Sequence, residues 1–109
     1  MFVATGTGLA PLLPMIRQAT DGNVLLFGCR TRDEDLTTLL DDPLPEQVIR
    51  CISREPVAGT FQGHVTEALQ TLDFDADTGF YLCGSSAMVA DARALLEGRG
   101  ASSIHAELY

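Results

Sequence analysis

A chain of 109 residues with 46% apolar content is long enough for one packed core, too short for two domains and too apolar to be disordered. Fifteen acidic against seven basic residues leave a formal charge of −8, which repels nucleic acid, and no basic run offsets it. No apolar run reaches the roughly 18–20 residues that cross a bilayer, and no charged leader precedes an apolar signal core, so the expected setting is the cytoplasm, without membrane attachment.

In chain order, "FVAT" (2–5) is the first expected strand, and it runs straight into "GTGLAP". A first helix is expected over 11–20, opening with proline where that residue is best tolerated. "VLLFGC" (24–29) is nearly continuous apolar sequence, as in strands covered on both faces. Leu36, Leu39 and Leu40 after a capping Asp33 predict a second helix, and "QVIRCIS" (47–53) a third strand. The stretches 41–47 and 55–63 read as loops. Val65, Ala68, Leu69 and Leu72 form the stripe of a third helix, followed by the strand "GFYLCG" (79–84). Met88, Val89, Ala92, Leu95 and Leu96 mark one face of a fourth helix, with Ser85 or Ser86 as its cap and Gly98 or Gly100 as its stop. "SIHAELY" (103–109) closes the chain as a fifth strand.

Alternating strands and helices of this kind predict a Rossmann-like α/β domain, a five-stranded parallel sheet with helices on both faces. Cys29, Cys51 and Cys83 are odd in number and lack metal or CxxC spacing, so each reads first as a reduced core residue. No metal site is expected.

In such sheets, ligands lie beyond the carboxyl ends of the strands, where the strand order reverses. Gly6 and Gly8 end the first strand there, ahead of a helix whose amides and dipole favour a phosphate. The spacing is neither GxGxxG, since Pro11 holds the third glycine position, nor a P-loop, so glycines that only turn the chain fit the pattern as well. "YLCGSSAMV" (81–89) repeats the strand–glycine–helix order. If the first and fourth strands are neighbours, both glycine ends open on one crevice.

Together, "ATGTGLAP", "LLFGCR", "SRE", "GHVTEAL", "YLCGSSAMV" and "IHAELY", in this order over essentially the whole chain, resemble the NAD(P)-binding domain of the ferredoxin–NADP reductase family. The resemblance implies strand order 3-2-1-4-5 and hydride transfer from the nicotinamide of NAD(P)H to a flavin, FAD or FMN, on a preceding β-barrel domain. That domain is absent from residues 1–109, which makes the chain look like a fragment, a separated subunit or a trimmed gene. The implied partners are the flavin domain or subunit and a downstream acceptor such as ferredoxin, flavodoxin, an oxygenase component or a haem protein. Little turnover is expected without the flavin.

By the same resemblance, Thr5, Gly6, Thr7 and Gly8 line the pyrophosphate and nicotinamide, with Pro11 and Met88 also at cofactor-binding positions. Cys83 and Gly84 flank the nicotinamide, Cys83 as a positioning residue and not a thiolate nucleophile. Glu107 and Tyr109 match terminal active-site positions, the tyrosine covering the flavin face. Strand alternation places His105, Glu107 and Tyr109 on one side, a pattern that a solvated edge also gives.

Ser53 and Arg54 match positions that hold the 2′-phosphate of NADPH, and Arg30 and Arg32 end the second strand near the adenosine half. Gln62 and His64 stand where further basic or tyrosine contacts are expected, and Asp33, Glu34 and Asp35 add charge that a phosphate disfavours. The choice between NADH and NADPH stays open at this level. The alternative to an electron-transfer module is a degenerate nucleotide fold serving as a structural or interaction domain.

Overall fold

The computed structural model describes residues 1–19, 22–40 and 45–108. Six strands, β1 (Phe2–Thr5), β2 (Val24–Cys29), β3 (Gln47–Ile52), β4 (Phe61–Gln62), β5 (Gly79–Gly84) and β6 (Ser103–Leu108), form one all-parallel sheet in the order β4-β3-β2-β1-β5-β6. Three α-helices pack on it, α1 (Leu9–Gln18), α2 (Val65–Thr71) and α3 (Ser86–Gly98).

The five expected strands keep their expected order, and the sheet gains a sixth outside β3. β4 is two residues long and pairs only with Cys51 and Ile52, too short to carry a sequence period. The helix expected over Leu36–Leu40 is a correction. Two 3-10 turns, Arg32–Glu34 and Thr37–Leu39, stand in its place. Asp35, extended between them, accepts hydrogen bonds from the Thr37 hydroxyl at 2.6 Å and amide at 2.9 Å, and from Arg50 of β3 at 3.0 Å. Those side-chain bonds compete with helical ones and win. Residue 20, the last of the first expected helix, and residues 41–44 of the first expected loop lie outside the described residues, and α1 ends at Gln18 with Ala19 as its cap.

Strand alternation sends successive side chains to opposite faces, and each face has its own helices. Val3, Leu26, Phe80 and Leu82 meet Val65, Ala68 and Leu69 of α2 and Val89, Ala92 and Leu96 of α3. On the other face Phe2, Ala4, Leu25, Phe27 and Cys83 meet Leu9, Leu12 and Ile16 of α1. Each of the buried Val, Leu, Ile and Phe side chains among them stabilises the fold by about 1.5–3 kcal/mol relative to exposure.

Of the two candidate caps for α3, Ser85 serves, its hydroxyl accepting from the Met88 amide at 3.3 Å. Past the C-terminal end of α3, Arg99 donates to the carbonyls of Leu69 at 2.7 Å and Leu72 at 2.6 Å, at the end of α2. Its guanidinium also lies 4.7 Å from the centre of the Phe74 ring. Among the described residues no helix is long and apolar enough to cross a membrane.

Candidate functional site

From β1 the chain moves outward to β2 and β3, then returns to β5 on the other side of β1. The reversal therefore falls between β1 and β5, where the carboxyl ends of an open parallel sheet form a crevice. Three glycines shape it. Gly6 holds φ at +52°, a conformation that side chains disfavour. A Cβ at Gly8 would run into the Cys83 carbonyl of β5, so the turn can lie directly on that strand only as glycine. A Cβ at Gly84 would meet the Thr5 hydroxyl, and the Met88 Cε at 2.7 Å.

A cleft of about 550 Å³ opens above these glycines, on the face covered by α2 and α3. It runs from Thr5 and Gly6 past Gly28 to Arg30, Glu34 and Ser53, and is walled by the first residues of α2 and α3. Gly28 is a further close approach, since a Cβ there would come within 2.8 Å of Val65 Cγ1. The Thr5 hydroxyl oxygen is shielded from solvent and has no hydrogen-bond partner among the described residues. A buried hydroxyl without a partner is costly, and at a cleft it is an available donor and acceptor.

Five of the sequence-predicted residues therefore share this cleft: Thr5, Gly6, Arg30, Ser53 and Met88. Gly84 lies buried beneath Thr5 and Met88, and Gly8 is buried against β5. Thr7 and Pro11 are exposed, in the turn and in the first turn of α1. Arg54 is exposed beside Arg30, its amide donating to the Arg30 carbonyl at 2.9 Å. Cys83 points the other way, into the core under α1, at 1% exposure. Glu107, exposed on β6, is its register partner. Tyr109 lies outside the described residues. Above Glu107 on that side, the rings of Phe2, Tyr81 and His105 stack in a row, with centroids 5.5 and 5.1 Å apart.

Burial pushes the Cys83 thiol up, and the Glu107 carboxylate adds to the effect. Burial likewise raises Cys29 to about 11, with Asp35 and Glu34 adding to it, and Cys51 to about 12. The upward shifts favour the neutral thiol over the thiolate that a cysteine nucleophile needs. Among the described residues no group of three or more metal-ligating side chains converges. Charge enters the cleft mainly at its far end, where Arg30 grips Glu34 with Nη2–Oε2 at 2.8 Å. That hydrogen bond, foremost, holds the Glu34 carboxyl below its ordinary range. Thr66, Asp91 and Gly28 also line the cleft. Sequence reading passed over them, and Gly28 alone had a signal, as a glycine closing an apolar strand.

The profile of the family described as "Oxidoreductase NAD-binding domain" matches residues 2–94. The chain belongs to this family. Its expected kinship with ferredoxin–NADP reductases holds: a ferredoxin–NADP reductase A of Sorangium cellulosum is 32% identical over 127 residues, covering 90% of the chain and 45% of that protein. A probable dihydroorotate dehydrogenase B (NAD(+)) electron transfer subunit of Thermoplasma volcanium is 31% identical over 99 residues, covering 91% of the chain and 37% of the subunit. The NAD-binding domain thus spans less than half the length of these curated relatives. In fold it is similar to the flavohem-like FAD/NAD binding domain of nitric oxide dioxygenase from Vibrio cholerae O1 biovar El Tor, with a TM-score of 0.81, 23% identity, and coverage of 99% of the chain and 49% of that domain. β6, with His105 and Glu107, lies beyond the residues matched by the family profile.

Proposed function

We propose that this domain binds NAD(P)H along the cleft and presents its nicotinamide to a flavin, FAD or FMN, held by another domain or chain. The observation that carries the reading is the Thr5 hydroxyl, buried with no partner among the described residues between two glycine ends that open on the same crevice. Gly6 and the amides at the start of α1 offer the pyrophosphate an uncrowded backbone and the positive end of a helix. Thr5 offers the carboxamide of the nicotinamide a hydrogen-bonding group, and Gly84 gives Thr5 and Met88 the space to line the cleft. Ser53, Arg30 and Arg54 stand at the adenosine end.

The flavin would supply the acceptor for the hydride, a pair of electrons with a proton. The protein's part is proximity and orientation. Cys83 and Glu107, on the opposite side of β5 from Thr5, would hold the strand end and its polar edge where the two rings meet. Tyr109, the position matched to a cover of the flavin, belongs to the same edge by sequence. The downstream acceptor in this reading is a small electron carrier or an oxygenase component, and the 32% identical relative named a ferredoxin–NADP reductase supports the first of these.

Calorimetric titration of the chain with NAD⁺ and with NADP⁺ tests the proposal. Saturable one-to-one binding of at least one nucleotide is expected. A flat titration with both at millimolar concentration would overturn it.

A further inference from the structure

Past the end of their ladder, β2 and β3 stay zipped together. The Ser53 amide donates to the Cys29 carbonyl at 3.1 Å and the Arg54 amide to the Arg30 carbonyl at 2.9 Å. Arg30 and Arg54 are thereby pinned side by side at the adenosine end of the cleft. The 3-10 turn Arg32–Glu34 then folds the chain back and lays the Glu34 carboxylate on the Arg30 guanidinium. Three contacts hold it, Nη2–Oε2 at 2.8 Å, Nε–Oε1 at 3.2 Å and Nε–Oε2 at 3.3 Å, and the Thr31 hydroxyl donates to Oε1 at 3.3 Å. The charge of Arg54 acts on the same carboxylate.

A guanidinium fork that accepts a carboxylate in this way accepts a phosphate by the same geometry. Here the fork is already filled by the protein's own anion. The nearby cation Arg50 is committed to Asp35 at 3.0 Å, and the Glu55 carboxylate, 2.6 Å from the Arg32 amide, adds a second negative charge at the mouth. A 2′-phosphate entering there must displace Glu34 from Arg30 and then lie beside it. A ribose 2′-hydroxyl meets an acceptor instead, as a carboxylate after the second strand does in NAD-binding sheets.

We infer that Glu34 sets the nucleotide choice of this domain: its carboxylate occupies on Arg30 the place of a 2′-phosphate, so the cleft takes NADH in preference to NADPH. The inference rests on the cofactor reading above and adds to it the identity of the nucleotide. Ser53 and Arg54 keep the sequence pattern of a phosphate site, but the anion on which Arg54 acts is the protein's own Glu34.

The test is calorimetric titration of the 109-residue chain, wild type, Glu34→Gln and the Arg30→Ala/Glu34→Gln double variant, with NAD⁺ and NADP⁺ in each case. The wild type is expected to bind NAD⁺ at least tenfold more tightly than NADP⁺. Glu34→Gln should raise NADP⁺ affinity at least tenfold and lower that for NAD⁺ a few-fold, and removing Arg30 should cancel the gain. Wild-type preference for NADP⁺, or equal effects of Glu34→Gln on both nucleotides, would overturn the inference and leave the cofactor reading standing. Absence of saturable binding by either nucleotide, in wild type and variants alike, would overturn both.

Discussion

The two ends of the cleft are built on different physics. At the β1–β5 end, three glycines, a hydroxyl and the tip of a methionine crowd together with no charge among them. At the β2–β3 end, Arg30 and Glu34 meet at the surface, with 58% and 41% of their side chains exposed. The first end is a steric solution with almost no freedom, because backbone passes against backbone. The second is an exchangeable pair of charges, screened by salt and worth little to the stability of the fold. If Glu34 sets the nucleotide choice as inferred, the crevice would stay fixed while preference shifts with a single surface substitution.

Breaking the tight end should have the largest effect. Gly8→Ala drives a Cβ into the Cys83 carbonyl, which belongs to the central sheet and cannot step aside. A loss of about 1–3 kcal/mol is expected, the usual range for overpacking. Thermal unfolding would read it as a Tm drop of roughly 4–8 °C per kcal/mol. An unchanged Tm would mean that the turn has slack and that backbone contact does not fix this end of the cleft.

Thr5→Val sharpens the same contrast by separating stability from binding. The isosteric methyl removes a buried hydroxyl that has no partner among the described residues, so stability should hold or rise by up to about 1 kcal/mol. Nucleotide affinity should fall roughly five- to tenfold, the worth of about one hydrogen bond. Melting curves and titrations on the same sample check both, and a variant that loses both together would place Thr5 in the core instead of the site.

The smallest effect is expected from acid titration beside the charged end. Burial pushes the Asp35 carboxyl up, but the Thr37 hydroxyl and amide and the Arg50 guanidinium outweigh it and leave it below its ordinary value. The group binds its proton more readily unfolded than folded. It therefore contributes stability that is full above the unfolded carboxylate range, near pH 4, and lost as pH falls through the lower folded value. Denaturant melts between pH 2 and 6 should lose part of that acid-side slope in Asp35→Asn. The same slope in wild type and variant would remove Asp35 from the set of groups that sense acid.

Much of the architecture was legible because burial on both faces forces continuous apolar strands, as in residues 24–29 and 79–84, and because the stripe from Met88 to Leu96 has one helical period. What escaped depended on contacts distant in sequence. The turn at Asp35 is fixed by Arg50, fifteen positions away, and a leucine stripe says nothing of that bond. β4 exists only as an addition to β3. Among site residues, the glycines were visible because their absent side chains leave a mark in any sequence. The division of Thr5 and Cys83 between opposite faces was not, since it follows from how β1 and β5 lie against each other. Glu34 was read as a local negative charge, and only the 3-10 turn reveals that its target is Arg30.

Arg99 carries a mechanical consequence. The walls of the cleft are the first residues of α2 and α3, whereas Arg99 ties the far end of α2 to the segment just past α3 and rests on Phe74. The two helices are thus clamped at their tails, like the arms of tweezers joined at the base, and the gap at their tips is set by a joint far from any bound molecule. Wear at that joint would be felt as play at the tips, so an amide-exchange experiment on Arg99→Ala should find the first turns of both helices opening together.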